Sequence, residues 1–236
     1  MSGAIAHVVT TCEHATNRVP EDLSALFRAH RALLKTHRGW DIGAMGVAER
    51  LAAGLASPLF VGEASRLVVE LNRSPDSPSL FSDITRALPE ERRRAILERY
   101  YTPWRCAVRE HVARWAAQGP VLHVSVHSFT PVLNGKRRTL EVGLLFDPAR
   151  ESEKALCERW RRAILADEAG AGLRVKMNLP YRGTSDGHTT ALRREFAPER
   201  YLGVEVEVNN ALIARRGGQE RVGLLLTRTL RRVLER

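Results

Sequence analysis

Short apolar runs with strand character alternate along this chain with longer stretches at helical spacing. That alternation limits the folds open to it. AIAHVVTT (4–11) is a strand-like run. Residues 41–56 place Ile42, Met45, Val47, Ala48, Leu51 and Leu55 near one helical stripe. RLVVEL (66–71) reads as a strand. Residues 89–118 open on Pro-Glu-Glu, continue rich in Arg, Ala and Leu, and predict a long surface helix. VLHVSVH (121–127) and LEVGLLF (140–146) read as strands, 151–168 as a helix, YLGVEVEV (201–208) as a strand and 217–235 as a C-terminal helix. Strands separated by helices predict βαβ units: a three-layer α/β/α fold whose mainly parallel sheet is covered on both faces. With no repeat, low-complexity tract or Gly/Ser linker, one domain over 1–236 is the simplest count.

Composition removes several classes. The apolar runs fall far short of the roughly 20 residues that a membrane span needs. MSGAIAHVVTTCEH lacks a basic leading region and reads as a first strand rather than a signal peptide. Three widely spaced cysteines (Cys12, Cys106, Cys157), with no CxxC, argue against a disulfide framework or a zinc knuckle, so a reducing cytoplasm is expected. The 37 basic residues against 27 acidic give +10, and only four of the 37 are lysines. Such a balance raises nucleic-acid binding. Yet GKRR (135–138), ERRRA (91–95) and TLRRV (229–233) lie mostly on predicted helices beside Glu, and aromatics, at 6%, are not interleaved with them. Neither a nucleic acid nor a membrane is the expected partner.

In open α/β sheets ligands sit outside the carboxyl ends of strands. The polar residues there are His14 after the first strand, His127 ending the strongest one, Asn72 and Arg73 closing 66–71, and Glu207 in the last. Asp41 stands at a helix start, where it either caps the helix or serves a site. Glu205 shares the face of Glu207 by period two. His123 and His7 read as packing residues; His30, His37 and His111 read as surface residues. Two imidazoles and a carboxylate are a donor set of catalytic zinc sites, with one position open for water. A further carboxylate can act as general base, and an Asn-Arg pair can clamp a substrate carboxylate. The three donors lie 27 and 86 residues apart, with no compact motif such as HExxH.

These blocks resemble the N-formylglutamate amidohydrolase family: CEHATNRVP (12–20), HRGWDIGA (37–44), SRLVVELNR (65–73), VHSFTP (126–131), NLPYRGTSDGHTT (178–190) and VEVEVNNALI (204–213), in the family's order. The resemblance implies a fold like that of zinc carboxypeptidases, a central mixed sheet flanked by helices. It implies zinc-dependent hydrolysis of an N-formyl or N-acyl amide on an acidic amino acid, a small anionic substrate. By that resemblance His14 and His127 are zinc ligands. The third residue after His14 is Asn17, so the HxxE pattern of carboxypeptidase-like sites is missing. Asp41 is the third ligand, with Glu13 as the alternative. Glu207 is the general base, with Glu205 as the alternative. Asn72 and Arg73 bind the substrate carboxylate, Arg66 either stabilises the oxyanion or is a surface charge, and Asn178, Tyr181 and Arg182 form an active-site loop. CEHA stands where formylglutamate enzymes carry PHSG-like residues. That leaves a second reading, a related zinc peptidase or deacylase acting on another N-acyl amino acid or short peptide. The oligomeric state is not legible.

Overall fold

Two nine-residue strands, β3 (Val121–Phe129) and β8 (Tyr201–Asn209), run side by side through the middle of the sheet and are buried at every position. They belong to a computed structural model that describes residue 5 and residues 7–235. The other strands are β1 (His7–Cys12), β2 (Leu59–Val61), β4 (Val132–Leu133), β5 (Lys136–Arg137), β6 (Val142–Leu145) and β7 (Val175–Met177). The helices are α1 (Arg31–Leu34), α2 (Ala44–Leu55), α3 (Asp83–Arg86), α4 (Glu90–Ile96), α5 (Thr102–Ala116), α6 (Glu151–Ala166), α7 (His188–Glu195), α8 (Asn210–Ile213) and α9 (Arg216–Leu234). The six-stranded sheet has the order β2-β1-β3-β8-β6-β7, and β4 and β5 form a separate hairpin. Every pairing in the large sheet is parallel except β6 with β8. The sheet is therefore mixed and mainly parallel, as expected.

Period-two alternation divides its faces. Leu122, Val124 and Val126 of β3, with Val204, Val206 and Val208 of β8, pack against α2, α6 and α9 in the main core, around Leu51, Trp160 and Leu226. On the other face α5 and α7 cover only the N-terminal half, where Val108, Val112 and Leu192 meet Val9, Val121 and Tyr201. Toward the C-terminal ends that face carries Ser125, His127, Glu205 and Glu207, and loops roof it instead of a helix.

Several boundaries differ from the sequence reading. The strand expected at 4–11 runs from His7 to Cys12, and Ala4 and Ala6 lie outside the described residues. The stripe at 41–56 becomes helical only at Ala44, after Gly43 at φ 82°, where a Cβ would meet the Ile213 carbonyl oxygen at 2.1 Å. The long helix over 89–118 spans α4, a π-helical turn at Leu97–Tyr101, and α5. The strand read at 66–71 is not one. Its backbone turns, Val68 N–H donating to Ser65 O, and Glu70 N–H donates to Leu80 O instead of to a ladder. Val68, Val69 and Leu71 fill a second, smaller core with Leu23, Phe27, Ile96 and Tyr101. An apolar run signals burial, and here burial comes without extension. Strands β2 and β7 and helix α7 had no clear pattern of their own.

Candidate metal centre and active site

The cluster at the strand ends draws on four distant segments. His14 follows β1, Asp41 precedes α2, His127 ends β3, and Glu207 on β8 stands opposite His127 in the register. One donor atom from each of His14, Asp41 and His127 lies within 4.8 Å of the others, and all three residues are buried. Nδ1 of His14 and Nδ1 of His127 stand 3.2 and 3.0 Å from the same oxygen, Asp41 Oδ2. Asp41 is tied down by Ser128 N–H at 3.2 Å and by Arg66 Nη1 at 3.2 Å. It is not a side-chain cap of α2.

Each imidazole turns its other nitrogen toward a second carboxylate. His14 Nε2 is hydrogen-bonded to Glu70. His127 Nε2 is 2.8 Å from Ser125 Oγ and 3.5 Å from Glu13 Oε2. Carboxylates behind the histidines are a usual outer layer of metal sites, fixing ring orientation. The donor chemistry and this outer layer fit a zinc ion held by His14, Asp41 and His127. Glu13 stands behind His127, outside the three-donor cluster.

Electrostatics attract positive charge to this spot. Burial opposes protonation of His127, yet the Asp41 hydrogen bond and Glu13 raise it to about 10. Burial and Arg66 oppose protonation of His14, but Glu70 and Asp41 raise it. Burial would lift Asp41, but the two histidines and Arg66 hold it well below the usual carboxylate range.

Glu207 is different. Burial pushes its carboxyl up to about 8, with Asp41 and Glu205 adding to the rise against the pull of His127 and His14. Its Oε2 is buried and has no hydrogen-bond partner among the described residues. Glu205 is held by Thr189 Oγ1, which donates to its Oε1 at 2.6 Å.

A cleft of ≈ 200 Å³ opens over these groups, lined also by Arg66, Asn72, Arg73, Tyr181, Arg182 and Asp186. The Arg66 guanidinium is committed to Glu70 and Asp41, so it braces the His14, Asp41 and His127 cluster rather than standing free for an oxyanion. Arg73 donates to Asn72 O and Asp186 O and forms no salt bridge among the described residues. Asn72 accepts His188 N–H at 2.6 Å. Of the proposed loop, Tyr181 and Arg182 reach the cleft but Asn178 does not. Its Oδ1 accepts N–H groups of Phe146 and Gly183, at 3.0 Å each, and so staples the loop. Gly143 lets that loop approach: a Cβ there would meet the Leu179 carbonyl oxygen at 1.9 Å. Sequence reasoning missed Glu70, whose spacing of four from Arg66 would have been a signal only on a helix.

A mixed α/β sheet covered by helices, with imidazoles and carboxylates gathered at its strand ends, places the chain in the class of three-layer α/β/α folds with a site at the strand ends. The family model for N-formylglutamate amidohydrolase matches residues 6–214. The chain belongs to the N-formylglutamate amidohydrolase family, and so to the hydrolases that act on an amide. Among solved structures it is similar to a gene product of Agrobacterium tumefaciens, at 34% identity and TM-score 0.81, covering 99% of this chain and 92% of that one. It also shares its fold with N-formylglutamate amidohydrolase from Ralstonia eutropha, at 18% identity and TM-score 0.62, covering 98% and 95%. No curated protein matches it.

Proposed function

We propose that the protein is a zinc-dependent amidohydrolase that removes the N-formyl or N-acyl group from an acidic amino acid such as N-formylglutamate. One observation carries this reading: the convergent His14, Asp41 and His127 donors line one cleft with the buried Glu207, whose Oε2 has no partner among the described residues. When bound there, zinc supplies Lewis acidity, polarising an amide carbonyl and lowering the pKa of water toward neutrality. Glu207 takes the proton of the attacking water and delivers it to the leaving amine nitrogen. Burial lifts the Glu207 carboxyl in the metal-free site, and a cation bound beside it would favour the ionised form that a general base needs. Arg73, with Asn72 and the exposed Arg182, orients the substrate through its carboxylates, for which a planar guanidinium is a two-pronged donor.

Some of the remaining arginines are engaged within the chain. Arg50, Arg109, Arg174 and Arg228 pair with Glu220, Glu195, Glu141 and Asp167. No helix among the described residues is long and apolar enough to cross a membrane. Three free cysteines suit a reducing, cytoplasmic setting.

The test is elemental analysis of the purified protein, then turnover of N-formylglutamate beside neutral N-acyl amino acids and short peptides, with and without a chelator. Chelator-sensitive turnover favouring the acidic substrate supports the proposal. Preference for a neutral substrate moves the assignment to a related deacylase or peptidase. Chelator-insensitive turnover overturns it.

A further inference from the structure

Behind His127 lies a buried chain of hydrogen bonds whose protons all point toward Glu13. Thr11 Oγ1 donates to Glu13 Oε1 at 2.9 Å, and Ser125 Oγ donates to Glu13 Oε2 at 2.8 Å. Thr11, Glu13 and Ser125 are each no more than 1% exposed, so water does not compete for these groups. A hydroxyl has a single proton to give. Ser125 Oγ, having given its proton to Glu13, can only accept from its other neighbour, His127 Nε2 at 2.8 Å. Thr11 Oγ1 can likewise only accept, from His123 Nε2 at 2.8 Å. That leaves His123 Nδ1 as an acceptor, and the Tyr201 hydroxyl stands 2.7 Å away to donate to it. The Glu13 carboxylate, which accepts from both hydroxyls, sets the polarity of the whole chain. In this arrangement Asn72 Nδ2, 3.4 Å from His127 Nε2, is a contact and not a hydrogen bond.

The consequence lies at the other end of the imidazole. In the metal-free site Nδ1 also carries a proton, which Asp41 Oδ2 accepts at 3.0 Å. A neutral, metal-binding His127 that keeps its Nε2 proton would present the Nδ1 lone pair to the donor cluster. We infer that Glu13 is a positioning residue that acts through Ser125 to hold His127 in the Nε2–H tautomer, so that Nδ1 faces the donor cluster. This rests on the reading of that cluster as a zinc site. It gives the buried Glu13 a role distinct from ligation.

Zinc affinity, measured alone by competition with a chromogenic chelator, tests the inference in Glu13→Gln, Ser125→Ala and the double variant. Glutamine puts an amide donor where the chain needs an acceptor, and alanine removes the relay. Each single change should weaken zinc binding by about 10–100-fold. The double change should weaken it no further than the worse single one, because both act on one N–H. Unchanged affinity in Glu13→Gln, or losses that simply add, overturn the inference. Cadmium-loaded wild-type protein with labelled histidine gives a readout that needs no variant to fold. The cadmium–nitrogen coupling should fall on Nδ1 of His127, and coupling on Nε2 overturns the inference. Failure of the wild type to bind zinc would remove the metal reading itself, a result separate from normal zinc binding that ignores Glu13.

Discussion

At the scale of single residues, the paired glutamates of β8 show how little chemistry residue type settles alone. Glu205 and Glu207 point the same way from one strand, yet Thr189 engages one and nothing among the described residues engages Oε2 of the other. Glu207→Gln should therefore retain zinc and lose turnover by about 10²–10⁴-fold, the usual worth of a general acid–base group. Wild-type kcat in that variant would remove Glu207 from the mechanism. His188 makes a second, independent case. It is buried, neither ring nitrogen has a partner among the described residues, and burial, then Arg105 and His123, hold its pKa well below 6.5. The unfolded chain takes up a proton there as pH falls through about 6.5, while the native state resists it. Native stability is thus lost on acidification below that point. The urea midpoint of His188→Leu should gain on wild type progressively as pH falls from 7 to 5. A pH-independent difference between the two would show that His188 is not held neutral.

Among elements, the buried pair of Glu153 on α6 and Arg193 on α7 ties the site loop to the sheet. Arg193 donates to both Glu153 oxygens, to Gly183 O at 2.5 Å and to Gly203 O at 2.8 Å. Glu153→Gln leaves a buried guanidinium without its counter-charge, which costs about 3–5 kcal/mol. Chemical denaturation should show that loss. Because Gly183 neighbours Tyr181 and Arg182, KM should rise more than kcat falls. Much of this level is legible in sequence. The alternation in VLHVSVHSF separates a valine face from a histidine face, and the structure gathers His14, Asp41, His127 and Glu207 from positions marked by strand ends and a helix start. What is not legible depends on partners far along the chain. Glu70 meets His14 across 56 residues, and Glu13 meets Ser125 across 112. The 66–71 run hides a turn because its apolar residues serve a different core from the sheet's.

For the whole molecule, the cleft lies between the sheet and the smaller lobe that carries Arg66, Glu70, Asn72 and Arg73. Zinc would bridge the native arrangement and have no equivalent site in the unfolded chain. At about a hundred times its Kd it should stabilise the fold by about 2.7 kcal/mol, and Tm should rise with zinc concentration. Asp41→Asn should abolish that dependence, and a Tm indifferent to zinc in the wild type would contradict it. The strand order has a further consequence for the life of the chain. Strand β1 pairs with β3, made more than a hundred residues later, and β3 in turn waits for β8, which begins only at Tyr201. A nascent chain that has not yet released β8 from the ribosome has neither its central pairing nor Glu207. The cluster of His14, Asp41, His127 and Glu207 is therefore complete only once β8 has emerged.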